Sequence, residues 1–486
     1  AFNNPSLTIR DCFYHDNRAS GGFGGAFTLW QGTNIMIDAC EFTRNTANNA
    51  GAFTYNGTES PKMNEENLIV KNCEFSSNQA VDFGGGSCYF TGSSFTIDSC
   101  TYLGNIGSSG GAIFSTGDNR SYTIKNTFFG LNAGNFGGAM TAYGDTTNAN
   151  IINCEFLNNM ADSGGGSMNC GFKANVYIDD CSFRGGLAAV GGAVSIQNDS
   201  TTVSINNSII TGNEATNSGG GVFSYTGSNV NLSMYNCTVS ENVTNFCGGI
   251  HLGAGDDIDT SYFSLKRLII SDNTARTQGG GININNKDGV IENCLIYNNF
   301  AESVGTGGAI SHNASDSLSF ELDINNCTIT QNLGVLSNGI AAWTDSTGSS
   351  MITLRNTLLH NGNDYEVEDG DPTIVSAGGN FSTDIDGTGI DEAVDELVED
   401  MLPKIIGSVL AQVGTSMAQG DMDFSQFDNL DQRIDLAIDE RAHALEKKAD
   451  AFCRKLKAAD EIEETLLASD LKFAELDLLH IKQHHP

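Results

Sequence analysis

Residues 11–28 read DCFYHDNRASGGFGGAFT, and the same pattern returns a dozen times along a chain of 486 residues. A small residue, usually Cys, is followed by an apolar residue two positions on and by Asn five positions on. A small residue, a Gly pair and a short apolar run then complete the unit. The anchors are Cys12, Cys40, Cys73, Cys100, Thr127, Cys154, Cys181, Ser208, Cys237, Leu268, Cys294, Cys327 and Thr357. Those at 73, 100, 127, 154, 181 and 208 lie 27 residues apart. A fixed period in this range is the mark of a solenoid, in which each unit buries its apolar face only against its neighbours.

The periodicity inside each unit selects the kind of solenoid. The run before an anchor alternates apolar and polar side chains, as in Asn34-Ile-Met-Ile-Asp-Ala-Cys-Glu-Phe42. That is strand spacing, with every second side chain on one face. The run after the Gly pair, such as Gly111-Ala-Ile-Phe-Ser115, is also short and bounded by turn residues. Helical periodicity is missing before about residue 390. The expected fold is therefore an all-β solenoid, a right-handed parallel β-helix of about 13 coils over residues 1–384, near 60 Å long. Because Ser6-Leu-Thr-Ile-Arg10 already reads as a strand, the sequence looks like a mature or trimmed chain.

Two internal features are expected to be structural. The Asn five residues past the anchor recurs at Asn17, Asn45, Asn78, Asn105, Asn132, Asn159, Asn213, Asn242, Asn273, Asn299 and Asn332, with Gly186 and Gly362 as departures. Its amide can accept from one coil and donate to the next, and Asn tolerates left-handed turn geometry, so it reads as an internal ladder at a corner. The Gly pairs supply backbone conformations closed to other residues. None precedes a helix or a Lys-Ser or Lys-Thr, which excludes a phosphate-cradling loop. Nine of the 13 cysteines occupy anchors where Thr, Ser and Leu also stand, so they read as small buried hydrophobes rather than disulfides. Cys88, Cys170 and Cys247 lie near Gly pairs, and Cys453 stands alone in the tail. The absence of any Cys-x-x-Cys argues against zinc.

The unit Cys40-Glu-Phe-Thr-Arg-Asn-Thr-Ala47, repeated as Cys73-Glu-Phe-Ser-Ser-Asn-Gln-Ala80, resembles the polymorphic outer-membrane protein repeat over about residues 6–383. Asn356-Thr-Leu-Leu-His-Asn-Gly-Asn363 with Ser376-Ala-Gly-Gly-Asn-Phe381 resembles the closing coil of secreted bacterial β-helix proteins. The resemblance implies an extracellular or cell-surface location and roles as an adhesin, passenger or scaffold. Past residue 385 the composition changes. Apolar residues at Ile390, Val394, Leu397, Ile405, Val409 and Val413, then at Ile434, Ile438, Leu445, Phe452, Leu456 and Ile462, predict an α-helical hairpin over 385–486 that caps or docks. Ala449-Asp-Ala-Phe-Cys-Arg-Lys-Leu456 and its flanks are similar to the YggN-like periplasmic proteins.

Charge narrows the partners. The net charge is −35, with 23 acids and 10 bases in residues 385–486 and the remaining 36 and 14 before them. Such a chain repels phosphate backbones and anionic membranes, and no run of about 18 apolar residues offers a membrane span. Expected partners are an extracellular glycan or a surface protein, with self-association through a solenoid end or the helical hairpin. Catalytic residues are not expected. Asp256-Asp257 with His251 nearby lacks the Gly-His-Gly and Arg-Ile-Lys of polygalacturonase-type hydrolases, and Lys266-Arg267 is the only adjacent basic pair in the solenoid. A metal-assisted polysaccharide lyase or hydrolase is the alternative, and a structural filament subunit a third. In the strand after the Gly pair large rings recur at Trp30, Tyr143 and Tyr225, with Tyr55, Phe90 and Trp343 near the same register. Pointing outward they form a stripe that stacks on sugar rings; pointing inward they are core. No cofactor is expected beyond Ca²⁺, for which Asp364, Glu366, Asp369 and Asp371 are the candidate oxygen ligands.

Overall fold

The computed structural model describes residues 6–30, 34–57, 68–91, 94–224, 229–253, 261–302, 307–314, 319–335, 337–344, 349–368 and 371–382. Its strands stack in parallel register, coil upon coil, into a β-helix. A typical coil runs Ile35–Asp38, Glu41–Thr43, Thr46–Ala47 and Phe53–Asn56 before the next begins at Leu68. These four strands belong to four walls. The first sheet has 14 strands from Leu7–Arg10 to Asp371–Ser376, and the second has 14 from Phe13–His15 to Phe381–Ser382. The third has 13, from Phe27–Trp30 to Tyr365–Glu368, and the short strands form ladders of 3 and 7. The chain divides into units Ala1–Glu392 and Ala393–Pro486. The hairpin expected over 385–486 lies outside the described residues.

Corners explain the repeat. The residue before every anchor is left-handed, from Asp11 (φ 52°) and Asn72 (53°) to Asn326 (53°) and Asn356 (48°). Most are Asn or Asp, the non-glycine residues that bear this conformation at least cost. A second left-handed residue precedes the ladder Asn, at Asp16, Arg44, Ser77 and Leu131 among others. The ladder asparagines themselves are not left-handed, contrary to expectation; the strain sits one residue earlier. Gly pairs are also explained differently. A Cβ on Gly111 would meet the carbonyl oxygen of Gly138, and one on Gly138 that of Gly166. Coils approach too closely there for any side chain.

The asparagine ladder is an amide column inside the corner. Asn105 Oδ1 accepts from the backbone N–H and the Nδ2 of Asn78 (2.9 and 3.1 Å), one coil earlier. Its Nδ2 donates back to Phe75 O (2.9 Å) and forward to Asn132 Oδ1 (2.9 Å). Every donor and acceptor of a fully buried amide is thus used, which is what burial requires. Gly186 breaks the column, and its N–H bonds Asn213 Oδ1 (2.8 Å), which restarts it. Gly362 does not. Asn361 enters one residue early, accepts from Asn332 Nδ2 (3.0 Å), and donates to Asp364 Oδ1 (3.0 Å).

Anchors are a second hydrogen-bonded column rather than simple hydrophobes. The backbone N–H of Cys40 points at Cys73 Sγ (3.4 Å), that of Cys100 at Thr127 Oγ1 (3.4 Å), and that of Cys181 at Ser208 Oγ (3.1 Å). Each γ-atom also donates to the carbonyl two residues before it, as Cys40 to Asp38 (3.3 Å) and Ser208 to Asn206 (2.6 Å). A small γ-heteroatom serves this column, which is why Ser and Thr substitute; Leu268, which has none, only donates its N–H to Cys294 Sγ (3.4 Å). Asn380 fills the place in the last coil, accepting from the N–H of Thr357 (2.9 Å).

The 12 described cysteines are free, and all but Cys12 are buried. Burial pushes the Cys40 thiol up to about 11 and those of Cys170 and Cys237 to about 12. The expected result of iodoacetamide treatment at pH 8, followed by peptide mapping, is labelling of Cys12 alone among the described cysteines, because the others are buried out of the reagent's reach. The others should label together on unfolding. Native labelling at Cys73 or Cys181 would contradict this packing.

Candidate functional site

The third sheet carries the candidate site on its outer face, and the alternation of strand side chains decides which residues reach it. In Phe53–Asn56 and Cys88–Thr91 the first and third positions enter the core: Phe53, Tyr55, Cys88 and Phe90 are all 0% exposed. Tyr55 and Phe90, expected on a ring stripe, are therefore core, out of phase by one residue. The second position points away. Its column runs Thr28, Thr54, Tyr89, Phe114, Thr141, Asn169, Ser195, Phe223, His251 and Asn283, each paired in register with the next.

A chain of rings crosses four successive coils of this face. Tyr89 and Phe114 stack at 5.2 Å and 5°, and Phe83, from the turn before them, sets its edge against both at 5.9 and 5.2 Å. Phe114 meets Tyr143 at 6.0 Å, and Tyr143 meets Phe172 at 4.6 Å. The two ends are open, Phe83 at 48% and Phe172 at 53% exposure, while Phe114 is buried beneath them. Burial raises the Tyr89 hydroxyl and pushes that of Tyr143 up to about 12, so both are neutral hydrogen-bonding groups at pH 7. Tyr143 Oη accepts from Asn169 Nδ2 at 2.5 Å, which fixes its ring.

Further along the axis the face changes character. Gln197 Nε2 donates to Ser195 Oγ (2.8 Å). A second ring group follows, with Phe223 stacked on His251 at 5.2 Å and Phe246 tilted against His251 at 5.5 Å. Beyond it Gln278 Oε1 accepts from Asn283 Nδ2 (3.0 Å), and Asn313 Nδ2 donates to Asn285 Oδ1 (2.7 Å). The face thus alternates rings with amides and hydroxyls.

Of the other expected ring residues, Trp30 is 58% exposed and meets Phe23 edge-on at 5.7 Å in the first coil. Trp343 is half-buried at the far end, in register with Asn313 and Glu368. Tyr225 lies outside the described residues. Sequence reasoning missed Phe83, Tyr89, Phe114, Phe172, Phe223 and Phe246. Phase counted from the buried anchor would have found Tyr89, Phe114 and Phe223. The turn phenylalanines carry their own signal, the runs Phe23-Gly24-Gly25, Phe83-Gly84-Gly85 and Phe136-Gly137-Gly138.

The charged candidates are largely committed to structure. Lys266 Nζ pairs with Glu292 (2.7 Å), and the Arg267 guanidinium lies 5.6 Å from the Tyr235 ring centroid. At the end of the first sheet Arg10, Asp38, Lys71, Asp98 and Lys125 stand in successive coils with alternating sign. Arg10–Asp38 (2.6 Å) and Lys125–Asp98 (3.4 Å) are ion pairs of that column. Asp256 and Asp257 lie outside the described residues. Asp364, expected among the Ca²⁺ ligands, is 0% exposed and caps the amide ladder, accepting from Asn361 and from Ser382 Oγ (2.7 Å). Glu366 stands in the third sheet and the backbone of Asp371 opens a strand of the first, while Asp369 lies outside the described residues. Among the described residues no three His, Cys, Asp or Glu side chains converge on a metal position.

His251 is buried, and burial pushes its imidazole down to about 3; His312, inside the core with Nδ1 2.6 Å from Ser350 Oγ, is pushed down to about 4. Neither titrates near neutral pH, so neither fits proton transfer there. A depressed imidazole is neutral when folded and protonates more readily when unfolded, with an unfolded value of 6.5. Stability is fully present above pH 6.5 and falls as the pH drops toward 4, by on the order of 3 kcal/mol for His312. The expected observation is an unfolding midpoint that declines over this window, with a shallower slope in His312→Gln. An unchanged slope in that variant would refute the assignment.

Two family models match the chain. One, described as a right handed beta helix region, matches residues 1–129. The other, described as a protein of unknown function (DUF2884), matches residues 347–479 and so begins within the last coils. The first agrees with the parallel solenoid and with its expected hand. No curated protein and no solved structure matches the chain.

Proposed function

We propose that this chain is a secreted or surface-displayed, non-enzymatic β-helix that binds a glycan on the outer face of its third sheet and serves adhesion or scaffolding. The carrying observation is the chain Phe83–Tyr89–Phe114–Tyr143–Phe172, flat apolar faces with open ends and neutral hydroxyls. Sugars present apolar C–H faces, which the exposed rings Phe83 and Phe172 match, while the amides and hydroxyls of the same column (Thr141, Asn169 and Ser195) are buried. The likeness of the repeat to the polymorphic outer-membrane protein repeat, and of the tail to YggN-like periplasmic proteins, supports a place outside the cytoplasm. A depressed His251 weighs against acid–base chemistry on this face, and Lys266 and Arg267, at the end of the first sheet, are engaged elsewhere.

The test incubates the pure chain, with and without Ca²⁺, against pectins, alginates and neutral glycans, reading retention and newly formed chain ends. Retention without new ends is expected, and Phe83→Ala with Phe172→Ala should abolish it, since both rings are exposed and their loss leaves the core intact. New chain ends would overturn the non-enzymatic reading. Unchanged retention in the double variant would move the site elsewhere.

A further inference from the structure

We infer that a second surface, on a different wall from the rings, docks a cationic amphipathic helix of a partner protein along the solenoid axis. It does not rest on the glycan reading. The surface lies where the second sheet turns into the wall of short strands, over four consecutive coils. Leu103, Gly130, Leu157 and Arg184 stand in register on the second sheet. Ile106, Ala133, Met160 and Leu187 stand in register on the short-strand wall. Leu131 occupies the corner between the two columns. Leu103, Ile106, Leu131 and Met160 are 38, 51, 60 and 46% exposed, and Leu157 and Leu187 are half-buried. Single exposed apolar residues are ordinary, but six in adjoining coils form a patch of the kind that marks a protein interface.

Leu131 is the member that folding alone does not explain. Its backbone is left-handed (φ 55°), a conformation costly to a bulky apolar residue, and it is the most exposed of the six. At the same corner the neighbouring coils place Ser77, Gly104, Asn158 and Gly185, all glycine or polar. A residue that breaks both local preferences is expected where function requires it. Charge then sets the partner's chemistry. Glu74, Glu155, Asp162 and Glu214 rim the patch, all exposed, and the ion pairs among the described residues include none of them. Against these acids stands Arg184, whose Nε donates to Ser182 Oγ (2.9 Å). The rim therefore matches an apolar stripe flanked by Lys or Arg. A second copy, with its own net charge of −35, would repel instead. An α-helix fits the spacing, since its turns rise about 5.4 Å and the coils about 4.8 Å, so successive turns meet successive coils.

Fluorescence anisotropy on the full chain tests this with a labelled Leu/Lys peptide of about four turns, its leucines spaced for one helix face. The controls are a scrambled Leu/Lys peptide of equal charge and a Leu/Glu peptide with the same stripe. The patterned Leu/Lys peptide is expected to bind roughly ten-fold or more tightly than either control. Leu131→Asn combined with Met160→Ser should cut that affinity by roughly ten-fold or more. Leu131→Asn alone should not lower the unfolding midpoint, because Asn bears a left-handed turn readily. Equal binding of the scrambled peptide, or unchanged binding in the double variant, would reduce the contact to the general acidity of the chain and overturn the patch. Binding of the Leu/Glu peptide as tight as that of its Lys counterpart would overturn the charge match. A lower midpoint in Leu131→Asn would assign that leucine to folding and remove the argument from its conformation. Self-association of the pure chain in sedimentation, lost in the double variant, would make a second copy the occupant and overturn the partner helix.

Discussion

Asn105→Ala is expected to lower the local stability of its coils by about 4 kcal/mol, seen as loss of hydrogen-exchange protection around residues 75–132 and a lower chemical unfolding midpoint. The size follows from what the substitution leaves behind. The backbone N–H and one Nδ2 hydrogen of Asn78 lose their acceptor, and the Phe75 carbonyl loses a donor, all in a water-free corner. Each buried polar group left unpaired costs about 1–3 kcal/mol. The natural break supplies the internal comparison. Asn213 has Gly186 beneath it, so Asn213→Ala orphans the Gly186 N–H and the Phe183 carbonyl but no side-chain amide. Its cost should be about two-thirds as large. Equal losses at the two positions would mean that the column acts through packing rather than through its hydrogen bonds. Because a solenoid couples mainly to nearest neighbours, the effect should fade within a few coils.

The same column shows what a sequence reveals of such a fold. Asn105 and Cys100 declare the corner because a left-handed turn and a coil-to-coil hydrogen bond need particular atoms, and those atoms recur at a fixed interval. The reason for each anchor was harder to read. Cys, Ser and Thr share a γ-heteroatom that accepts a backbone N–H, which is invisible when cysteine is taken as a hydrophobe. Asn361 was hidden because it enters the ladder without the left-handed residue that normally precedes it. Site residues were hidden by phase. Phe90 and Tyr89 are neighbours with opposite fates, 0% exposed in the core and half-buried on the outer face, and only the strand register separates them. An acidic run gave no such handle: Asp364 looks like its neighbours until its partner, Asn361, is known.

The second large effect is expected at Phe129, the fifth of seven stacked rings inside the second sheet. Tyr14, Phe42, Phe75, Tyr102, Phe129, Phe156 and Phe183 occupy one position of seven coils, two residues past the anchor or its equivalent. Their centroids are 4.9, 4.8, 4.5, 5.0, 4.8 and 4.6 Å apart, with ring planes within 9°. Strand spacing dictates the separation, and the shared rotamer makes the rings parallel. Phe129→Ala opens a ring-sized hole between Tyr102 and Phe156 that the coils cannot close without breaking their own ladder hydrogen bonds. A cost of about 3–5 kcal/mol follows from the lost burial and the cavity. Phe129→Leu should cost much less, roughly 1.5 kcal/mol, since the column continues as Ile210, Val239 and Ile270 and the corner accepts an aliphatic residue there. Denaturant melts of the two variants decide the matter. Comparable losses for Ala and Leu would mean that ring stacking, rather than filled volume, sustains the aromatic half of the solenoid. A small loss for Ala would mean that the coils relax into the gap, and the rigidity of the inner column would have to be abandoned.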